Sequence, residues 1–153
     1  MKNFKNPLTY ALYLLELRDR SVGEIKDKME RKKFSDDEIK KTIGFLLSKK
    51  FLDDEKFVTH FVKEKRELQH WGNYRIKMEL KKKQVSDEIV DELILNQSEN
   101  SELETAREAA DKWQRKNPNC PKQKVYQRLG GFLSRQGFSY DIVKSVIEDV
   151  LNR

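Results

Sequence analysis

Apolar residues along this chain fall into short sets spaced three and four positions apart, the period of a helix with one buried face. Ile25 and Met29, Ile39 and Ile43, Ile76 and Leu80, and Leu129 and Leu133 are such sets. Phe57-Val58 and Phe61-Val62 look like strand doublets in isolation. Their recurrence at i, i+1, i+4 and i+5 is helical. The pattern predicts nine helices, over residues 7–19, 22–33, 36–49, 54–70, 73–84, 87–97, 102–117, 121–136 and 140–152, and no strand. Helix starts are marked chemically. Asn6 precedes Pro7, a cap followed by a proline whose missing N–H costs nothing at the first helical position. Ser21 with Glu24, Ser35 with Glu38 and Ser101 with Glu104 have capping-box spacing. Ser86 and Ser139 read as simple N-caps.

The sets repeat. An apolar residue, a second four later, a third nine later and a serine ten later occur as Ile25, Met29, Phe34, Ser35. They recur as Ile76, Leu80, Val85, Ser86 and again as Leu129, Leu133, Phe138, Ser139. The first unit carries one extra residue after its serine. The offsets, 76 − 25 = 51 and 129 − 76 = 53, define a module of three helices. A module of about 50 residues buries too little surface to be robust alone, so stacked neighbours are expected to support it. The fold expected is all-α, an elongated right-handed array of three tandem three-helix repeats. The expected limits are 1–53, 54–100 and 101–153, with Asn96-Gln97-Ser98-Glu99-Asn100 as the best linker.

Composition agrees with thin cores in series. Only 37% of residues are hydrophobic against 38% charged, and mean hydropathy is −0.87. No apolar run approaches the length needed to cross a bilayer. Met1 leads directly into Lys2-Asn3-Phe4-Lys5, which predicts no secretory leader. Cys120 is the single cysteine, and His60 and His70 are the only histidines. An internal disulfide is thereby excluded, a His/Cys metal site lacks ligands, and a reducing cytoplasm is the expected compartment. Phosphate-loop motifs are absent, and the carboxylates fall mostly at caps or on solvated helix faces. No catalytic residue, cofactor or metal is therefore assigned.

Charge is unevenly placed on this +6 chain. Residues 84–111 hold nine acidic residues and one basic. Residues 112–140 hold seven basic and no acidic, and residues 63–83 hold eight basic against three acidic. Six positions after each apolar anchor stands a cation: Arg31, Lys82 and Arg135. Arg75 and Arg128 lie seven residues before the last two, two turns away on the same face, and Lys124 extends the third stripe. Such a track suits phosphates or acidic side chains; a plain solvated face is the bland alternative. Trp71 beside Arg75 could stack on an unpaired base, but packing at a helix corner is the favoured reading. Trp113 occupies a core position. Cys120 between two prolines is read as incidental rather than reactive.

With these residues on the page, the chain resembles the RecX family of bacterial regulatory proteins, the modulators of RecA. The resemblance runs through Ala11-Leu12-x-Leu14-Leu15-x-x-Arg18-x-Arg20-Ser21 with Glu24-Ile25, then Phe51-Leu52-Asp53-Asp54 with Phe57, Phe61 and Arg66. It continues in Gly72-x-x-Arg75-Ile76-x-x-Glu79-Leu80 and Val85-Ser86, then Lys124-Val125-Tyr126-x-Arg128-Leu129 and Arg135-Gln136-Gly137-Phe138-Ser139. A long N-terminal extension is lacking, and Gly130-Gly131 is expected to kink the middle helix of the third repeat.

The resemblance implies a cytoplasmic protein that binds the RecA–DNA filament in its groove and limits RecA ATPase and strand exchange, with some members also touching DNA. The candidate partner or DNA contacts are Arg18, Arg20, Arg31, Arg75, Lys82, Lys124, Arg128 and Arg135. DNA contact is expected to be weak and without sequence specificity, with no membrane partner and a monomeric state. The competing readings are a tandem helical DNA binder acting without RecA, and an interaction protein using the acidic 84–111 zone. No helix rich in base-reading Arg, Asn and Gln supports sequence-specific binding. An array should scatter as an extended particle. A radius of gyration near the roughly 15 Å of a compact chain of this length would contradict it.

Overall fold

The computed structural model describes residues 3–96 and 99–153. Among them are nine helices and no strand: α1 Pro7–Leu17, α2 Val22–Arg31, α3 Asp36–Ser48, α4 Asp54–Gln69, α5 Asn73–Lys82, α6 Asp87–Leu95, α7 Glu99–Lys116, α8 Lys122–Gln136 and α9 Tyr140–Leu151. The starts are capped largely as their residues dictate. The Asn6 side chain accepts from the N–H groups of Leu8 and Thr9, with Pro7 at the first helical position. Ser21 and Ser35 complete both arms of a capping box with Glu24 and Glu38. Ser86 accepts from the Ile89 N–H at 3.3 Å and Ser139 from the Ile142 N–H at 3.4 Å. Each such cap is worth about 1 kcal/mol.

Two local expectations fail. Ser101 and Glu104 do not cap a helix, because α7 already starts at Glu99. Ser101 lies within the helix, and its hydroxyl oxygen accepts from the Arg66 guanidinium at 3.4 Å. The expected linker shrinks accordingly; its Gln97 and Ser98 lie outside the described residues. Nor does Gly130-Gly131 interrupt α8, which is helical through both. A methyl at Gly130 would stand 3.3 Å from Ile147 Cδ1 and 3.9 Å from Val143 Cγ1. The missing side chain admits α9 to close contact, and that packing offsets the glycine's cost in helix propensity.

The chain forms two compact units: Met1–Thr59 with Leu80–Val90, and His60–Glu79 with Asp91–Arg153. In the first, Ala11, Leu14, Ile25, Met29, Ile39, Leu46 and Leu52 make a core joined by Phe34 and Ile43. In the second, Ala106, Ala109 and Ala110 of α7 meet Val125, Leu129 and Leu133 of α8 and Val143, Val146, Ile147 and Val150 of α9. The repeating anchors are the most deeply enclosed: Ile25, Met29, Ile76, Leu80, Leu129 and Leu133 are all fully buried.

The turn after each middle helix is built alike. Lys33, Gln84 and Gly137 occupy the same place and all have positive φ, of 68°, 60° and 99°. Their N–H groups bond to Glu30, Lys81 and Ser134, while the next residues, Phe34, Val85 and Phe138, bond back to Met29, Leu80 and Leu133. These bonds satisfy the last carbonyls of the helix and aim the third apolar residue into the core.

Two of these turns receive the start of another helix. In the first unit the Ser21 hydroxyl donates to the Lys83 carbonyl at 2.5 Å, and Gly23 lies flat against Gln84, whose Cβ any side chain there would strike. In the second, the Gly72 N–H donates to Gln136 O at 2.8 Å and the Tyr74 N–H to Gly137 O at 3.1 Å. A methyl at Gly72 would run into the carbonyl of Gly137. Gly72→Ala is expected to destabilise the protein by about 2 kcal/mol or more, since backbone must move to admit the methyl. Gly44→Ala in α3, where nothing lies within 4 Å of the added carbon, is expected to stabilise by up to about 1 kcal/mol. Urea denaturation of the two variants checks both signs.

Candidate partner interface

Among the candidate cations, Arg18, Arg20, Arg31 and Arg75 have partners within the protein. Arg18, at the end of α1, reaches Glu24 Oε2 at 2.6 Å. Arg20 donates from Nε to the Leu14 carbonyl at 3.1 Å, satisfying the open C-terminal end of α1. Burial pushes its guanidinium below the ordinary value, as does neighbouring Arg18, against the pull of Glu24 and Tyr10. Arg31 pairs with Asp27 one turn earlier at 3.1 Å and stays largely exposed, a geometry worth a few tenths of a kcal/mol. Arg75 donates to Gln136 Oε1 at 2.7 Å and lies 4.2 Å from the Trp71 ring centroid. Lys65 Nζ sits 4.9 Å from the same ring, and Phe61 meets it edge-on. Trp71 is thus taken up by packing and two cations at a helix corner.

The other four candidates are exposed. Lys82 is exposed in the last turn of α5. Lys124, Arg128 and Arg135 line one open cleft of about 520 Å³ with Trp113, Asn117 and Gln127. All three are exposed, and no carboxylate among the described residues pairs with them. Elsewhere in this unit Lys77 pairs with Asp91, Arg107 with Asp149 and Arg153 with Asp111. Helical rise places Arg128 about 6 Å from Lys124 along the axis, and Arg135 about 10 Å further. Uncompensated cations in a concave site with an indole wall attract phosphates or carboxylates.

Sequence reasoning noted Arg66 only as part of the resemblance and gave it no role. It is 8% exposed; its Nη2 donates to Asn73 Oδ1 and its Nη1 to Ser101 Oγ, while Nε finds no partner among the described residues. Burial pushes its guanidinium down and Glu102 works against that. Glu102 also accepts from the Asn73 N–H at 2.9 Å, so α4, α5 and α7 meet at one charged knot. The signal was present: Val58, Val62 and Arg66 share one helical stripe. Of the other reactive types, His60 is exposed and His70 Nε2 lies 3.4 Å from Glu108. Cys120 packs at the edge of the second core. No group of three or more His, Cys, Asp or Glu among the described residues is arranged to hold a metal. No described helix is long and apolar enough to cross a membrane.

These features define an all-α protein of tandem three-helix domains with an uncompensated basic cleft on the last. Domain models described as the first, second and third three-helix domains of RecX match residues 8–46, 53–94 and 100–147. The chain belongs to the RecX family. It is 30% identical over 144 residues to the regulatory protein RecX of Clostridium botulinum (strain Eklund 17B), covering 93% of this chain and 67% of that relative. It is 32% identical to the one from Clostridium perfringens (strain 13) with the same coverage. The crystal structure of RecX from Lactobacillus salivarius shares the fold, with a TM-score of 0.82 at 22% identity over 96% of both chains. The chain thus spans about two thirds of the length of the two clostridial relatives.

Glu24 joins several of these contacts, since it caps Ser21, binds Arg18 and approaches Lys83 at 3.5 Å. Burial works to raise its carboxyl, but the hydrogen bonds from Arg18 and the Ser21 N–H, with Lys83 nearby, hold it below the ordinary value. A carboxylate depressed by folding stabilises at neutral pH, and the contribution is lost as pH falls through the folded value. The stability difference between the wild type and Glu24→Gln, measured by urea titration at successive pH values, should therefore be largest near neutrality and shrink on acidification.

Proposed function

We propose that this protein is a non-enzymatic regulator that binds the RecA–DNA filament and limits RecA ATPase, strand-exchange and coprotease activity, acting in the cytoplasm as a monomer. Membership of the RecX family supports the partner. The unpaired cations Lys124, Arg128 and Arg135 in one cleft carry the reading of where polyanionic or acidic surface would be met. Inhibition would follow from occupancy: a bound chain restrains protomers that must move during turnover, with no chemistry of its own. We take the working repeats as 1–53, 54–100 and 101–153. Arg18, Arg20 and Arg75 serve this function indirectly, by holding helices in place, whereas Arg31 and Lys82 belong with the outward-facing cations.

Titration of the purified protein into a RecA–ssDNA ATPase assay tests this directly. Turnover should fall to a plateau; unchanged turnover at saturating protein would remove the proposal. The variant Lys124→Glu/Arg128→Glu/Arg135→Glu should weaken apparent filament affinity at least tenfold, with far-ultraviolet dichroism unchanged. The loss should diminish as salt rises, because screening weakens the wild-type contacts too. Equal affinity of variant and wild type would place the contact elsewhere.

A further inference from the structure

Packing explains only one of the two adjacent glycines in α8. Gly130 faces Ile147 and Val143 of α9, whereas a carbon added at Gly131 would meet the Arg135 guanidinium, with Nη1 3.2 Å away, and no residue of α9. Arg135 thus leans back one turn along α8, as helical side chains do, and its cation stands over a position that has no side chain. Helical rise puts that cation about 5 Å from the level of the Arg128 Cα, against about 10 Å between the two Cα levels. The end of α8 makes no demand on it. An arginine in a last turn can bond the final carbonyls, but Leu133 O and Ser134 O already accept from the N–H groups of Phe138 and Gly137. The other repeats fill the corresponding position. Four residues before Arg31 stands Asp27, which holds it in an ion pair at 3.1 Å, and four before Lys82 stands Met78.

We propose that Gly131 is a positioning residue of the basic cleft, which sets the Arg135 guanidinium beside Arg128 and leaves it unpaired for the partner. Lys124, Arg128, Gly131 and Arg135 follow one another at four, three and four residues, a single stripe of α8. Lys124, Arg128 and Arg135 line the cleft with Trp113. A larger side chain at the third place would take the ground on which the guanidinium lies and push it away from Arg128. An acidic one would capture it, as Asp27 captures Arg31. Glycine does neither. Two guanidinium forks then come within reach of one oxyanion group of the partner, a stronger hold than either gives alone. The adjacent glycines therefore divide their roles: Gly130 serves the packing of α9, and Gly131 serves binding through Arg135.

The inference rests on the proposed filament contact, and a double-mutant cycle separates the two. Affinity for RecA–ssDNA filament is read from the fluorescence anisotropy of protein labelled at its N-terminus. Arg135→Ala and Gly131→Leu should each lower affinity about fivefold, and the double variant no more than either alone, because both remove the same placed cation. Gly131→Ala, a smaller intrusion on the same cation, should cost about twofold, and Gly130→Ala should leave affinity unchanged. The urea midpoints of Gly131→Leu and Gly131→Ala should hold or rise, since both residues favour a helix over glycine. A fall in both midpoints would assign Gly131 to folding and overturn the inference. Wild-type affinity in Gly131→Leu, or in Arg135→Ala while the triple glutamate variant still binds weakly, overturns it and leaves the filament contact standing. So does a full further loss when Gly131→Leu is added to Arg135→Ala, which would make leucine a plain obstruction of the cleft. Wild-type affinity in the triple glutamate variant, or no filament binding at all, removes the cleft reading and the role of Gly131 with it.

Discussion

The structure depends on how closely one helix start can approach a left-handed turn. Where Gly23 meets Gln84 and Gly72 meets Gly137, there is no room for a side chain. Hydrogen bonds from Ser21, Gly72 and Tyr74 then fix the register of each joint. One consequence follows. Small residues are required at positions remote in sequence from the turns they touch. The turn also holds a positive φ, the conformation in which the three middle helices all close their last carbonyls.

These joints divide the charge. Around them Glu24 gathers Arg18 and Lys83, Arg75 is held by Gln136 and Trp71, and Arg66 by Asn73 and Ser101. Cations in such places are partly desolvated and geometrically committed. Their loss is felt as lost folding stability, because their partners would be left unsatisfied. Lys124, Arg128 and Arg135 have no such commitment and stand exposed in one cleft. One residue type thus does two kinds of work in this protein, and the presence of a carboxylate, carbonyl or aromatic ring beside it decides which.

Much of this was legible beforehand. The nine helices lie within a few residues of the expected limits because caps and apolar spacing act over three or four positions. The misread start of α7 shows where that locality ends. Ser101 and Glu104 have the spacing of a capping box, but Ser101 receives Arg66, 35 positions away, and Glu102 receives the Asn73 N–H, 29 positions away. Likewise Gly130 reads as a helix breaker until Ile147 and Val143 are seen beside it.

The candidate site was legible as a set of cations and no further. From the residues alone came the helices, their capped ends, the threefold repeat and the excess of positive charge over 112–140, all properties of neighbours along the chain. Tertiary structure decided which arginines are spent inside and which face outward, and which of the left-handed turns receive a helix start. Those outcomes hang on pairs such as Arg75 and Gln136, 61 positions apart. No local spacing encodes such a pair; it exists only once packing has closed the distance.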